Sequence, residues 1–88
     1  MNENIKGCFA KSIAGHDKGT VYVIINVCNG YLYLSDGRLK TVENPKKKKF
    51  KHIQITNIMD DNIESKHDKN INITNEDIKR AIKNYISN

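Results

Sequence analysis

The chain has 88 residues, with 15 Lys or Arg against 10 Asp or Glu, for a net charge of +5. That length allows one domain, or a smaller domain with a tail, and it disfavours an enclosed active-site cavity, because a domain of about 60 residues buries only about 60% of its unfolded surface. No run of about 18 apolar residues is present and Met1–Lys6 lacks the apolar centre of a signal peptide, so neither a membrane span nor export is expected and the protein is placed in the cytoplasm. The charge is uneven. Residues 1–59 hold ten Lys or Arg against four Asp or Glu, whereas residues 60–88 hold five against six. A basic domain with a near-neutral tail attracts polyanions, nucleic acid and anionic membrane being the usual ones.

Taken in order, Cys8–Ile13 alternates as an edge-like strand, with Phe9, Lys11 and Ile13 on one side and Cys8, Ala10 and Ser12 on the other. Gly15-His16-Asp17-Lys18-Gly19 follows as a loop. Two glycines permit a sharp turn with outward-facing amide N–H groups, which suits a phosphate. Thr20–Val27 is almost wholly apolar and β-branched and is the strongest strand signal in the chain, with Val21, Val23, Ile25 and Val27 on one face and Tyr22, Ile24 and Asn26 on the other.

Asn29-Gly30 is a hairpin signal, since both positions accept positive φ. The next strand, Tyr31–Ser35, alternates cleanly and points Leu32 and Leu34 inward, Tyr31 and Tyr33 outward. Asp36-Gly37 predicts a second hairpin into a short strand over 38–42, and Glu43-Asn44-Pro45 then breaks the sheet. Five lysines lie within Lys46-Lys47-Lys48-Lys49-Phe50-Lys51. Phe50–Ile55 alternates again, with Phe50, His52 and Gln54 on one face and Ile53 and Ile55 on the other. Five short strands joined by tight turns predict a mainly β, closed or half-open barrel, because closure removes exposed edges.

The order Gly7, apolar strand, Gly15, Lys18-Gly19 and Val/Ile-rich strand resembles the KOW motif of ribosomal and transcription proteins. The continuation through Asp36-Gly37-Arg38-Leu39 and the lysines to His52 is similar to small bacterial KOW-domain proteins, which resemble an archaeal and eukaryotic large-subunit ribosomal protein family. The resemblance spans about Gly7 to Ile55. It implies an SH3-like barrel of KOW type, an RNA-binding role and a place on or near the ribosome.

The domain reading is therefore a barrel over 1–58, a polar linker over 59–72 and an amphipathic helix over 73–88. Thr74 can cap the N–H of Asp77 while Asp77 answers it, and Ile73 can staple onto Ile78. Ile78, Ala81, Ile82, Tyr85 and Ile86 form one apolar stripe, which packs on the barrel or meets a protein partner.

The candidate RNA-binding residues are Lys11, Gly15, His16, Lys18, Gly19, Arg38, Lys46, Lys47, Lys48, Lys49, Lys51 and His52. Lysine–phosphate contacts release condensed counterions and give salt-dependent binding. A lysine run is also what a solvated loop shows, and lysines rise with an AT-biased genome. Tyr22, Tyr31 and Tyr33, set on the outer face, either stack unpaired bases or form a cross-strand cluster under the helix. A zinc site from Cys8, Cys28, His16 and His52 has no knuckle-like spacing, and two buried thiols are the plainer reading. No nucleophile–base–acid set, Walker-type loop or carboxylate pair argues for catalysis, so the expectation is a non-enzymatic protein with no cofactor or small-molecule substrate. Ribosomal RNA is the expected partner, with ribosomal proteins beside it. The competing reading is a protein-interaction module that uses the helix stripe and the outer tyrosines.

Overall fold

The Val/Ile-rich run forms the longest strand and organises the sheet around itself. The computed structural model describes residues 5–87. Five strands form one antiparallel sheet: β1 (Cys8–Ser12), β2 (Val21–Cys28), β3 (Tyr31–Ser35), β4 (Lys46–Lys49) and β5 (Ile53–Met59). They are ordered β4-β3-β2-β1-β5. The edge strands β4 and β5 are joined by a single 3-10 turn, Phe50–His52, and form no ladder with each other among the described residues. The result is a mainly β domain with a five-stranded sheet and two helices, α1 (Asp61–Asp68) and α2 (Asn75–Ser87).

Both faces of the sheet are buried where β1 and β2 meet. On one face Cys8, Ala10, Tyr22, Ile24, Leu32, Leu34 and Ile53 form a core, supported by Val27, Phe50 and Ile55. On the other, Phe9 and Val23 pack against Ile63 of α1 and Ile78 and Ala81 of α2. Tyr85 stacks on Phe9 with ring centroids 4.2 Å apart. Ile78, Ala81, Ile82 and Tyr85 of the α2 stripe are thus taken up inside the molecule, on the Phe9–Val23 face rather than over the β3 tyrosines, while Ile86 at its end is exposed.

Local signals account for much of this. Asn29 and Gly30 both have positive φ, 51° and 81°, which joins β2 to β3 tightly. Thr74 Oγ1 accepts from the Asp77 N–H at 3.2 Å and the Thr74 N–H donates to Asp77 Oδ2 at 2.9 Å, a reciprocal cap at the start of α2.

Four expectations are corrected. The strand predicted over 38–42 is a loop. Asp36 Oδ1 accepts from the Arg38 and Lys40 N–H groups, Ser35 Oγ donates to Lys40 O at 2.6 Å, and the Val42 N–H donates to Asn75 Oδ1 at the start of α2. The fourth strand is instead the lysine run itself, paired Leu32↔Lys48 and Leu34↔Lys46. The strand predicted over 50–55 begins only at Ile53, because Phe50–His52 turns the corner. The segment read as a linker contains α1, which Asp60 caps by accepting from the Asn62 and Ile63 N–H groups.

One strand also changes face along its length. A bulge between Ile24 and Asn26 in the β2–β3 ladder inserts an unpaired residue and resets the alternation. Ile25 therefore packs with the helices while Val27 turns to the opposite core.

Candidate nucleic-acid interface

The Gly15–Gly19 loop closes on its own aspartate. Gly15 and Gly19 have φ of 86° and 93°, and three amides turn inward: Lys18 N donates to Gly15 O, Gly19 N to Ser12 O at 2.8 Å and Thr20 N to Asp17 O at 2.9 Å. The outward amides expected for phosphate are therefore absent at these three positions. Inside the loop the Asp17 carboxylate accepts from Ser12 Oγ at 2.9 Å, from the Tyr22 hydroxyl at 2.7 Å and from Lys48 Nζ at 2.6 Å. Burial by itself would raise the Asp17 carboxyl. Hydrogen bonds from Lys48, Tyr22 and Ser12, together with the Lys48 charge, outweigh it and hold the group well below the usual carboxylate range. Burial, then the bond to Asp17 and its charge, push the Tyr22 phenol up.

Tyr22 consequently lies inside, 3% exposed, and not on the outer face assigned to it. Its position follows from the core phase of β2, which it shares with Ile24.

The strand pairing divides the lysine cluster. Lys46 and Lys48 sit opposite Leu34 and Leu32, whose side chains fill the core, while Lys47 and Lys49 sit opposite Tyr33 and Tyr31 on the outer face. Residues opposite one another in a ladder share a face. Lys48 reaches inward. Its ammonium donates to Ser12 Oγ, Ala14 O and Asp17 Oδ1 at 2.9, 2.7 and 2.6 Å, so each of its three protons has an acceptor and its side chain is only 10% exposed. Lys48 is a structural tie between β4 and the loop. It is not placed to hold a phosphate.

Lys47 and Lys49 are exposed and Tyr31 and Tyr33 half-buried. Lys47 Nζ lies 4.4 Å from the Tyr31 ring centroid, a diagonal cation–π contact. With Asn26 opposite Tyr33 and Cys28 opposite Tyr31, two cross-strand rows emerge on the outer face: Asn26, Tyr33, Lys47 and Cys28, Tyr31, Lys49. Asn26, Cys28, Lys47 and Lys49 in these rows are exposed, and neither tyrosine belongs to the cluster that the helices form with Phe9 and Val23. Asn26 and Cys28 belong to the surface only because the bulge resets β2, a shift that sequence alternation does not show.

The remaining candidates are spread. His16 and Lys18 flank Asp17 on the exposed side of the loop, and Lys51 is exposed in the 3-10 turn. The His52 carbonyl accepts from Ile13 N at 3.0 Å. Lys11 is exposed on β1, opposite Val21 and Gln54. Arg38 and Gly19 line a separate open groove along α2, together with Lys79, Lys83 and Asp36. The sequence gives no sign of this role for Lys79 and Lys83, because Gly19, Asp36 and Arg38, which share the groove with them, lie some 40 residues or more upstream.

Cys8 is buried in the core while Cys28 is exposed on the opposite face, so the two thiols do not meet. Burial, with the nearby Glu64 charge, raises the Cys8 thiol. Among the described residues no helix is long and apolar enough to cross a membrane. The sequence matches no protein-family model and no curated protein.

Proposed function

We propose that this chain is an RNA-binding protein built on an SH3-like barrel of KOW type, working in the cytoplasm on ribosomal or similarly structured RNA. The observation that carries the reading is the placement of Lys47 and Lys49 on a paired strand, opposite two half-buried tyrosines of β3. Lys47 and Lys49, at alternate positions of one strand, hold their charge on one fixed surface, where phosphate contacts cost less ordering than in a free loop. Lys51 lies exposed in the turn that directly follows this strand. The sheet order, with one 3-10 turn linking the two edges, suits a barrel of the proposed type. The competing role as a protein-interaction module loses its main feature, since Ile78, Ala81 and Tyr85 of α2 are engaged on the sheet.

The test is an anisotropy titration of the full chain with purified ribosomal RNA at increasing salt. Affinity should fall linearly on a log–log scale, and Lys47→Ala or Lys49→Ala should each reduce the slope by about one. Binding that ignores salt would refute the reading. Sedimentation of the protein with the large ribosomal subunit from a native lysate would separate a ribosomal role from contact with other RNA.

A further inference from the structure

We infer that the outer face of β3 and β4 is a stacking platform for unpaired bases, so that the RNA this protein prefers is a single-stranded stretch such as a loop or bulge. The inference rests on the RNA reading above and narrows it to a substrate class. Tyr31 and Tyr33 are two residues apart on one strand and face the same way. That spacing sets the rings about 7 Å apart along the strand, far enough for each to take its own base from an extended chain. Every base has a π face, so such a platform tolerates sequence. A paired base offers no free face to a ring outside the helix, and A-form RNA meets proteins mainly through its minor groove and backbone.

The flanking residues fit the same ligand. Lys49 pairs across from Tyr31 and Lys47 across from Tyr33, so each ring has a lysine opposite it in the ladder that can reach the phosphate of a stacked nucleotide. In the free protein Lys47 covers the Tyr31 ring at 4.4 Å. A base arriving on Tyr31 takes the place of that ammonium and releases it to the backbone phosphate. Lys47 therefore exchanges one partner for another on binding. No carboxylate opposes this surface in the ladders that form it: the residues paired with Tyr31 and Tyr33 are Cys28, Asn26, Lys49 and Lys47.

The experiment uses the full chain with a short fluorescein-labelled oligouridylate and a blunt RNA duplex of equal length, at low and at raised salt. The oligouridylate should bind more tightly than the duplex and retain part of its affinity as salt rises. Tyr31→Leu and Tyr33→Leu should each weaken it about fivefold or more while leaving the duplex unaffected. Because both rings are half-buried, a second readout needs no variant: aromatic proton shifts of Tyr31 and Tyr33 should move on adding oligouridylate, with those of the enclosed Tyr22 unmoved. Salt-dependent binding of both RNAs with the two ring signals unmoved would overturn the platform and leave the RNA reading intact. Failure to bind either RNA would overturn both.

Discussion

Lys48 Nζ stands 2.6 Å from Asp17 Oδ1, joining the edge strand of the sheet to the loop between its first two strands. With Ser12, Ala14 and Tyr22 completing the hydrogen bonds, neither charge lacks a partner. The pair is 31 residues apart in sequence, so it constrains the fold at long range.

The first prediction separates two neighbouring lysines. Removing one partner of a well-enclosed ion pair leaves the other uncompensated, so Lys48→Met should cost roughly 2–4 kcal/mol of stability. Lys47→Met, which loses an exposed cation–π contact, should cost about 0.5–1 kcal/mol. Urea denaturation of the two variants measures this directly, and equal losses would contradict the assigned roles.

Acid should destabilise the fold through two aspartates. Asp77 accepts from Lys66, Thr74 and Asn62; as at Asp17, burial opposes these bonds and is outweighed, so both carboxyls sit below their ordinary value. A carboxyl depressed in the folded state binds fewer protons there than in the unfolded chain. Its stabilisation is complete above the unfolded value of about 3.9 and is lost as pH falls from there towards the folded one. The melting temperature should hold between neutral pH and about 5, then drop steadily. Asp17→Asn should start lower at neutral pH and fall less steeply.

Gly37 is a tighter constraint than Gly30, although both have positive φ, 75° and 81°. A methyl at Gly37 would meet Asn75 O at 2.5 Å and Lys79 Cγ at 2.9 Å, whereas at Gly30 nothing lies within 4 Å. Gly30→Ala should cost about 1 kcal/mol from backbone strain alone. Gly37→Ala should cost about 2 kcal/mol or more, because the loop must lift from the start of α2. Hydrogen exchange in the first turn of α2 should accelerate only in the second variant.

The exchange at Tyr31 has a definite sign. Uncovering the ring gives up about 0.5–1 kcal/mol of cation–π attraction, and a stacked base returns about 1–3 kcal/mol. Lys47→Gln loses a phosphate contact yet opens the ring, so it should weaken oligouridylate binding less than Lys49→Gln does. The reverse order, measured by anisotropy, would show that Lys47 does not act as a displaceable cover.

What the sequence revealed depended on the range of the interaction. Asn29-Gly30, the inward Leu32 and Leu34, and the Thr74–Asp77 cap are local signals, and all are present. The helix α1 carries a signal too: Asp60 at the cap, Asp61 and Glu64 in its first turn and Lys66 and His67 in its last complement the helix dipole. It reads as linker because its one buried residue is Ile63, which leaves no stripe. The lysine strand has no local β signal, since lysine is a poor strand former, and only its pairing with β3 makes it one. That pairing also decides which lysines face solvent. The Asp17–Lys48 contact was invisible for the same reason, as nothing near either residue indicates the other.

Among the described residues β4 is the outermost strand on its side of the sheet and pairs with no strand beyond it. A second copy adding there antiparallel would bring Lys46, Lys47 and Lys49 of each copy together, whereas Lys48 is already paired with Asp17, and like charges along a ladder oppose such pairing. Anything that neutralises those charges, whether acetylation or a bound polyanion, removes this barrier. The lysines proposed here to meet RNA phosphates would thus also oppose the pairing of two copies of the chain at this edge.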